Sequence, residues 1–436
     1  MESSLNLLIL LFFAVCHRVL AATPPSAAPL YPEEALPTKS GYLTVNSTTG
    51  SAIFYAFYEA QTSYNKIPIP ESPILIWLQG GPGCSSMLGN LREVGPWILN
   101  QELTLEANPG SWNKIFGLVF LDNPIGTGFS IAASNQEIPR NQYDVAKHLF
   151  IAIQKFIALN KSFKNRPIYL TGESYAGKYI PALGYYIIKM NSKWPKENRV
   201  NLGGVAIGNG LTDPEIQVSI HAINSFYLGL INEKQTAILE KLQMVTIGFI
   251  RRGKWSEATD ARNRVLDTLT NMTGLATLYD FKRLIPYQND VVDKFLNNIE
   301  VKKALGAKED KFFERCSSVV SRVLHNDVMK SVKYMVEFLV KNTKVLLYQG
   351  QRDLKDGVPS TEAWVRTMRW DAIPGFLEAE KKVWRVDGKL AGYVQKWKNL
   401  SHVVVLNAGH LMPGDQPVNS QVMIQDWLLD KGLFAS

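Results

Sequence analysis

The chain has 436 residues, 46% of them hydrophobic and 20% charged, with a formal net charge of +8. Such a composition can bury a large core, as one big domain or one domain with an insertion, and excludes a low-complexity or natively unfolded chain. The positive charge is spread along the sequence with no nucleic-acid motif beside it, so it reads as a solvated basic surface and argues against a nucleic-acid partner.

In chain order, MESSLNLLILLFFAVCHRVLAA carries an apolar run from Leu5 to Val15, then small residues suited to cleavage near Ala21 or Ala22. The run is short for a membrane span and reads as a secretory signal peptide over residues 1–21. No later segment offers about eighteen uninterrupted apolar residues, so no membrane association is expected after signal cleavage. YLTV and SAIFYAFYEA, on either side of NSTTG, predict a hairpin. ILIWLQG, GLVFLD, IYLTGES and GGVAIGNG follow as short apolar runs ending in Gly, Asn or Asp, with helical patterns such as QYDVAKHLFIAIQKFIALN between them. After Asp213-Pro214 the strand signals stop and the sequence turns helical and polar, as in EKQTAILEKLQMV and ATDARNRVLDTLTNM. Within it, RRGK at 251–254 is an exposed loop or a processing site. Strand patterns return with KVLLYQG at 344, a hairpin around Asp387-Gly388, and HVVVLNAG at 402. The alternation predicts an α/β fold with a mostly parallel central sheet. The expected organisation is a first core part over 22–214, a helical cap insertion over 215–300 and a second core part over 301–436.

Of three cysteines, Cys16 leaves with the signal peptide, and an oxidising compartment favours one disulfide between Cys84 and Cys316 over two separate thiols. Sequons at Asn46, Asn160, Asn271 and Asn399 fit N-glycosylation in the secretory pathway.

TGESYAGKYIPALG at 171–184 joins the strand pattern PIYL to a helical pattern. Ser174 thus sits on a strand-to-helix turn, where an α/β-hydrolase presents its nucleophile and needs small neighbours such as Gly172, Ala176 and Gly177. A serine nucleophile needs a base and an orienting carboxylate. Among six histidines, His410 alone follows a strand directly, in VVVLNAGHLMPGDQP, at the sheet edge where such sites gather. The carboxylate should fall between them in chain order, after a strand. YQGQRDLKDG offers Asp353 and, a step later, Asp356, of which Asp353 is preferred. Oxyanion donors fit WLQGGPGCSS at 77–86, where glycines let the backbone approach a substrate. The amides of Gly81 and Tyr175 are the expected pair.

Taken in order, WLQGGPGCSS, SWN, FLDNPIGTGFS, TGESYAGKYIP, GNGLTDP, YQGQRDL and NAGHLMPGDQP resemble the serine carboxypeptidases, peptidase family S10, over nearly the whole mature chain. The resemblance implies an α/β-hydrolase fold with a helical cap, catalytic Ser174, Asp353 and His410, no metal and no organic cofactor. It implies removal of one residue at a time from the C-termini of peptides or proteins. The groups that would hold the terminal carboxylate are the Gln79 side chain, the Gly80 amide, Glu93 and Glu173. Two glutamates beside a carboxylate require shared protons, since close like charges raise a carboxyl pKa, so an acidic working pH follows. Cys84 and Cys316 match positions bridged in relatives.

The sequence departs from many relatives in carrying Gln79 in place of asparagine, which lengthens the amide donor, and Gln351 in place of an acidic residue. Some relatives are acyltransferases, in which the residue beside the serine is typically aspartate, so Glu173 favours the peptidase. A non-catalytic binding or chaperone-like member is disfavoured by an intact triad. The family often forms homodimers, but no interface is marked in this sequence. A secretory route leaves extracellular space and vacuole or lysosome both open as destinations.

Overall fold

The computed structural model describes residues 30–64 and 67–435, so the expected signal peptide lies outside the described residues. One ten-stranded sheet runs through the molecule in the order β1-β2-β6-β3-β7-β8-β9-β12-β11-β10. Its strands are β1 Lys39–Thr44, β2 Ala52–Tyr58, β3 Ile74–Leu78, β6 Gly117–Leu121, β7 Ile168–Glu173, β8 Leu202–Gly208, β9 Lys344–Gly350, β10 Lys382–Val386, β11 Lys389–Trp397 and β12 Leu400–Val405. The six from β6 to β12 in that order pair in parallel, and antiparallel hairpins close both sides. The strands expected around ILIWL, GLVFL, IYLTGE, GVAIG and KVLLYQG are all present, as are both hairpins. A small hairpin of β4 Trp97–Leu99 and β5 Leu105–Ala107 was not foreseen.

Parallel strands read as continuous apolar runs because helices cover both faces, and every residue of β3, β6 and β12 is buried. Helices Gln142–Ala158, Ala176–Asn191 and Lys333–Asn342 cover one face, through Leu149, Ile153, Leu183 and Leu339. Ser86–Arg92, Asp290–Leu296 and Pro417–Leu428 cover the other, through Leu91, Phe295 and Trp427. Two of these starts are capped by side chains, with Ser85 accepting from Met87 N and Asn141 from Asp144 N.

Between β8 and β9 the chain is helical, and its longest pieces are the antiparallel pair Glu233–Arg251 and Trp255–Thr273. An Asn232–Gln235 capping box starts the first and Gly274, at φ +64°, ends the second. The pair has its own apolar cluster, including Leu239, Val265 and Leu269, which Leu354 joins from the segment after β9. RRGK forms the exposed turn between the two helices.

This topology sets the site. β3, β7, β8, β9 and β12 are parallel and adjacent in that order, so their carboxyl ends lie along one edge. Gln79 follows β3, Ser174 follows β7, Asn209 follows β8, Asp353 follows β9 and His410 follows β12.

Candidate active site

Ser174 occupies the junction between β7 and the helix Ala176–Asn191 with φ +62°, in the left-handed region that non-glycine residues rarely adopt. Neighbouring strand ends hold it there. Its amide donates to Gly208 O at 2.9 Å, and its carbonyl accepts from Gly177 N and Leu211 N, both at 2.9 Å. The glycine loop after β3 lies against this turn: a Cβ on Gly80 would stand 2.5 Å from Tyr175 N and 2.7 Å from Ser174 Cβ. Only glycine fits. Gly81 has φ +112°, and neither its amide nor that of Tyr175 donates to another group among the described residues. Both are thus unspent donors beside the serine.

His410 is buried, and its Nδ1 lies 2.7 Å from Asp353 Oδ2. That oxygen also accepts from Asn209 Nδ2 at 2.8 Å, and Oδ1 accepts from Lys355 N at 2.7 Å. Burial pushes the His410 pKa down, and the charge and hydrogen bond of Asp353 outweigh it, so the net direction is upward. The Tyr279 ring stacks on the imidazole with centroids 4.5 Å apart, and Tyr279 O accepts from His410 N at 2.7 Å. His410 Nε2 is buried without a partner among the described residues. It opens on the cavity that Ser174 lines, and the two make no hydrogen bond as placed. Such contacts are often loose before substrate binds. Asp356, the other carboxylate of this segment, pairs instead with buried Arg262 at 3.3 Å.

Gln79, Glu93 and Glu173 meet in a buried cluster. Trp77 Nε1 donates to Gln79 Oε1 at 2.8 Å, which orients the amide so that Nε2 faces Glu173 Oε1 at 2.7 Å and Glu93 Oε1 at 3.3 Å. Glu93 ends the helix Ser86–Arg92. Burial pushes its pKa up to about 7, against hydrogen bonds with Glu173 and Gln79 that lower it. Burial, then the charge of Glu93, holds Glu173 well above the usual carboxylate range. Oε2 of each glutamate has no partner among the described residues. The pair therefore keeps at least one proton in the weakly acidic range and can donate it.

Ser174, His410, Gly81, Gln79 and Glu173 line one cavity of about 270 Å³. Cys84 and Cys316 form a disulfide in its wall, joining the glycine loop to the strand-like segment at 315–317, where Ser85 N donates to Arg315 O and Ser317 N to Gly83 O. A larger groove of about 780 Å³, lined by Lys164, Arg199, Leu202 and Thr343, lies where β8 and β9 begin, on the edge opposite Ser174. Size alone does not mark the site. No group of three His, Cys, Asp or Glu among the described residues is placed to hold a metal ion.

The profile of the serine carboxypeptidase family matches residues 29–430. The chain belongs to the serine carboxypeptidase family. Its class is that of serine-type carboxypeptidases, hydrolases with an α/β-hydrolase fold. Serine carboxypeptidase-like 50 from Arabidopsis thaliana is 54% identical over 436 residues, covering 100% of this chain and 96% of that protein. Probable serine carboxypeptidase CPVL from Homo sapiens is 34% identical over 92% of this chain and 85% of its own length. The crystal structure of Kex1(delta)p, a prohormone-processing carboxypeptidase from Saccharomyces cerevisiae, superposes with a TM-score of 0.81 at 26% identity, covering 91% of this chain and 92% of that one.

Within this serine carboxypeptidase fold, three site residues escaped the sequence reading. Asn209 lies in GNGLTDP, and a polar side chain between two glycines just after a strand was its only signal. Tyr279 and the Lys355 side chain carried none, because they meet each other, and Tyr279 meets His410, only across segments far apart in the chain. No helix among the described residues is long and apolar enough to cross a membrane.

Proposed function

We propose that this chain hydrolyses the C-terminal peptide bond of peptides and proteins, releasing one amino acid through an acyl-enzyme. One observation carries the reading: a serine with its histidine, and a buried amide with Glu173, whose carboxyl shares a buried cluster with Glu93, open into the same cavity. Ser174 attacks the last peptide carbonyl as His410 takes its proton, and Asp353 holds the imidazole in its tautomer. The amides of Gly81 and Tyr175 receive the oxyanion. His410 then protonates the leaving amine, and water repeats the cycle on the acyl-enzyme.

The terminal carboxylate binds against Gln79, the Gly80 amide, Glu93 and Glu173. A protonated glutamate donates to it, whereas an ionised pair would repel it, so activity belongs on the acid side of neutrality. The cap over 215–300 supplies part of the wall that meets substrate side chains. The test is release of the C-terminal amino acid from N-blocked dipeptides between about pH 4 and 7.5, in wild type and Ser174→Ala. Release that disappears in Ser174→Ala supports the proposal, and none from the folded wild type at any pH overturns it.

A secretory route, ending outside the cell or in a vacuole or lysosome, agrees with the disulfide and the sequons. Asn160 and Asn271 are exposed. The Asn46 amide donates to Glu137 at 3.3 Å and that of Asn399 to Val340 O at 3.0 Å. Glycans are therefore expected first at Asn160 and Asn271. Peptide mapping after enzymatic deglycosylation reads their occupancy.

A further inference from the structure

A second groove, of about 510 Å³, starts where the catalytic cavity stops, and Thr277 and Tyr279 line both. Its other walls include Asn263, Asp267 and Thr270 of the cap helix Trp255–Thr273, and Lys355 from the segment after Asp353. Lys355 is half-buried. Its Nζ donates to Tyr279 Oη at 3.0 Å and stands 4.7 Å from the centre of the ring that stacks on His410.

An ammonium has three donors, and one is used here. The nearby carboxylates are already engaged: Asp356 with Arg262, Asp353 with His410 and Asp280 with Arg352. Asp267 shares the groove but is exposed and makes no ion pair with Lys355. A half-buried cation beside the reacting atoms is thus left without a counter-charge among the described residues. An opposite charge brought to it interacts more strongly than at an open surface, because less water screens the pair.

The cluster of Gln79 and Glu173 takes the leaving residue, so the rest of the substrate departs past Tyr279. We infer that this second groove receives the acyl side of the peptide, and that Lys355 is a specificity-determining residue favouring an Asp or Glu side chain within the two residues before the scissile bond. The inference rests on the peptidase reading above.

The experiment compares phenylalanine release from N-blocked Glu-Phe with Gln-Phe, and from N-blocked Glu-Ala-Phe with Gln-Ala-Phe. It is run at about pH 5.5, where a substrate glutamate is ionised. Wild type is expected to favour glutamate over glutamine about tenfold in kcat/KM in at least one pair, as one partly desolvated ion pair allows. Lys355→Met should abolish the preference and Lys355→Glu invert it, while Asp267→Asn keeps it. Equal rates for both substrates of each pair in wild type overturn the inference and leave the peptidase reading intact. So does a role confined to holding Tyr279, in which Lys355→Met slows glutamate and glutamine substrates alike. If none of the four peptides yields phenylalanine in a Ser174-dependent manner, the peptidase reading itself falls and this inference with it.

Discussion

Asn209 Nδ2 donates at 2.8 Å to the same Asp353 oxygen that lies 2.7 Å from His410 Nδ1. The other end of its amide accepts from Gly350 N at 3.1 Å, so the side chain links the ends of β8 and β9 and fixes the carboxylate between them. Its φ of +41° suits asparagine better than most residues. Asn209→Ala should lower kcat/KM about 10–100-fold, the equivalent of one buried charge-assisted hydrogen bond. Asn209→Asp should be worse, since it sets a second carboxylate against Asp353. Steady-state kinetics on purified variants of unchanged melting temperature would show this, and wild-type activity in Asn209→Ala would refute the positioning role.

The glutamate pair makes opposite demands on activity and His410. Glu93, near 7 in the fold, loses its proton as pH rises, so kcat/KM should fall on the alkaline side of about 7. His410 must be neutral to accept the serine proton, so its protonation sets an acid limb, giving a bell. Glu93→Gln should move the alkaline limb upward and leave the acid limb in place.

Stability follows the same groups. Free glutamate ionises near pH 4.3, well below folded Glu93 and Glu173, so the folded chain binds more protons than the unfolded one above that pH. Stability therefore falls as pH rises through this interval and levels off above the folded pKa values. Asp122, pushed by burial to about 6, adds a dependence of the same sign. His221 and His402, whose pKa values burial lowers to about 4, act in the opposite sense below the free histidine pKa. The test is therefore differential: between pH 5 and pH 8 the melting temperature of Glu93→Gln should fall less than that of wild type.

Ser174 holds a backbone conformation that costs a non-glycine residue about 1 kcal/mol or more. Ser174→Gly should therefore melt higher than Ser174→Ala, and both should be inactive. Calorimetry on the two variants compares them directly, and equal melting temperatures would mean that the turn is unstrained.

Arg262 reaches from the helix Trp255–Thr273 to Asp356, three residues beyond Asp353, and both partners are buried. Removing one member of a buried pair leaves a desolvated charge, so Arg262→Ala should destabilise the chain by about 3–5 kcal/mol. Because Asp356 N also donates to Asp353 Oδ2 at 3.3 Å, activity should drop well below the melting point. Chemical denaturation and activity-temperature curves read the two effects separately.

The sheet was legible because buried parallel strands are short apolar runs that end in glycine or asparagine, as ILIWLQG and GVAIGNG do. The β4–β5 hairpin was not: three residues per strand are too few to show a period, and Pro96 precedes the first. Likewise, Ser174, Asp353 and His410 could be picked out because each follows a strand. The Tyr279–His410 stack and the Arg262–Asp356 pair could not, since they join segments more than ninety residues apart or lie across the cap.

The disulfide has a consequence for covalent connectivity. Cys84 and Cys316 are separated by 232 residues, and the exposed turn at 251–254 falls between them. A protease that cut that turn would leave Ser174 on one polypeptide and Asp353 and His410 on the other, yet the bridge would still tie the two into a single molecule. Such a nicked form would migrate intact on a non-reducing gel and separate only after reduction.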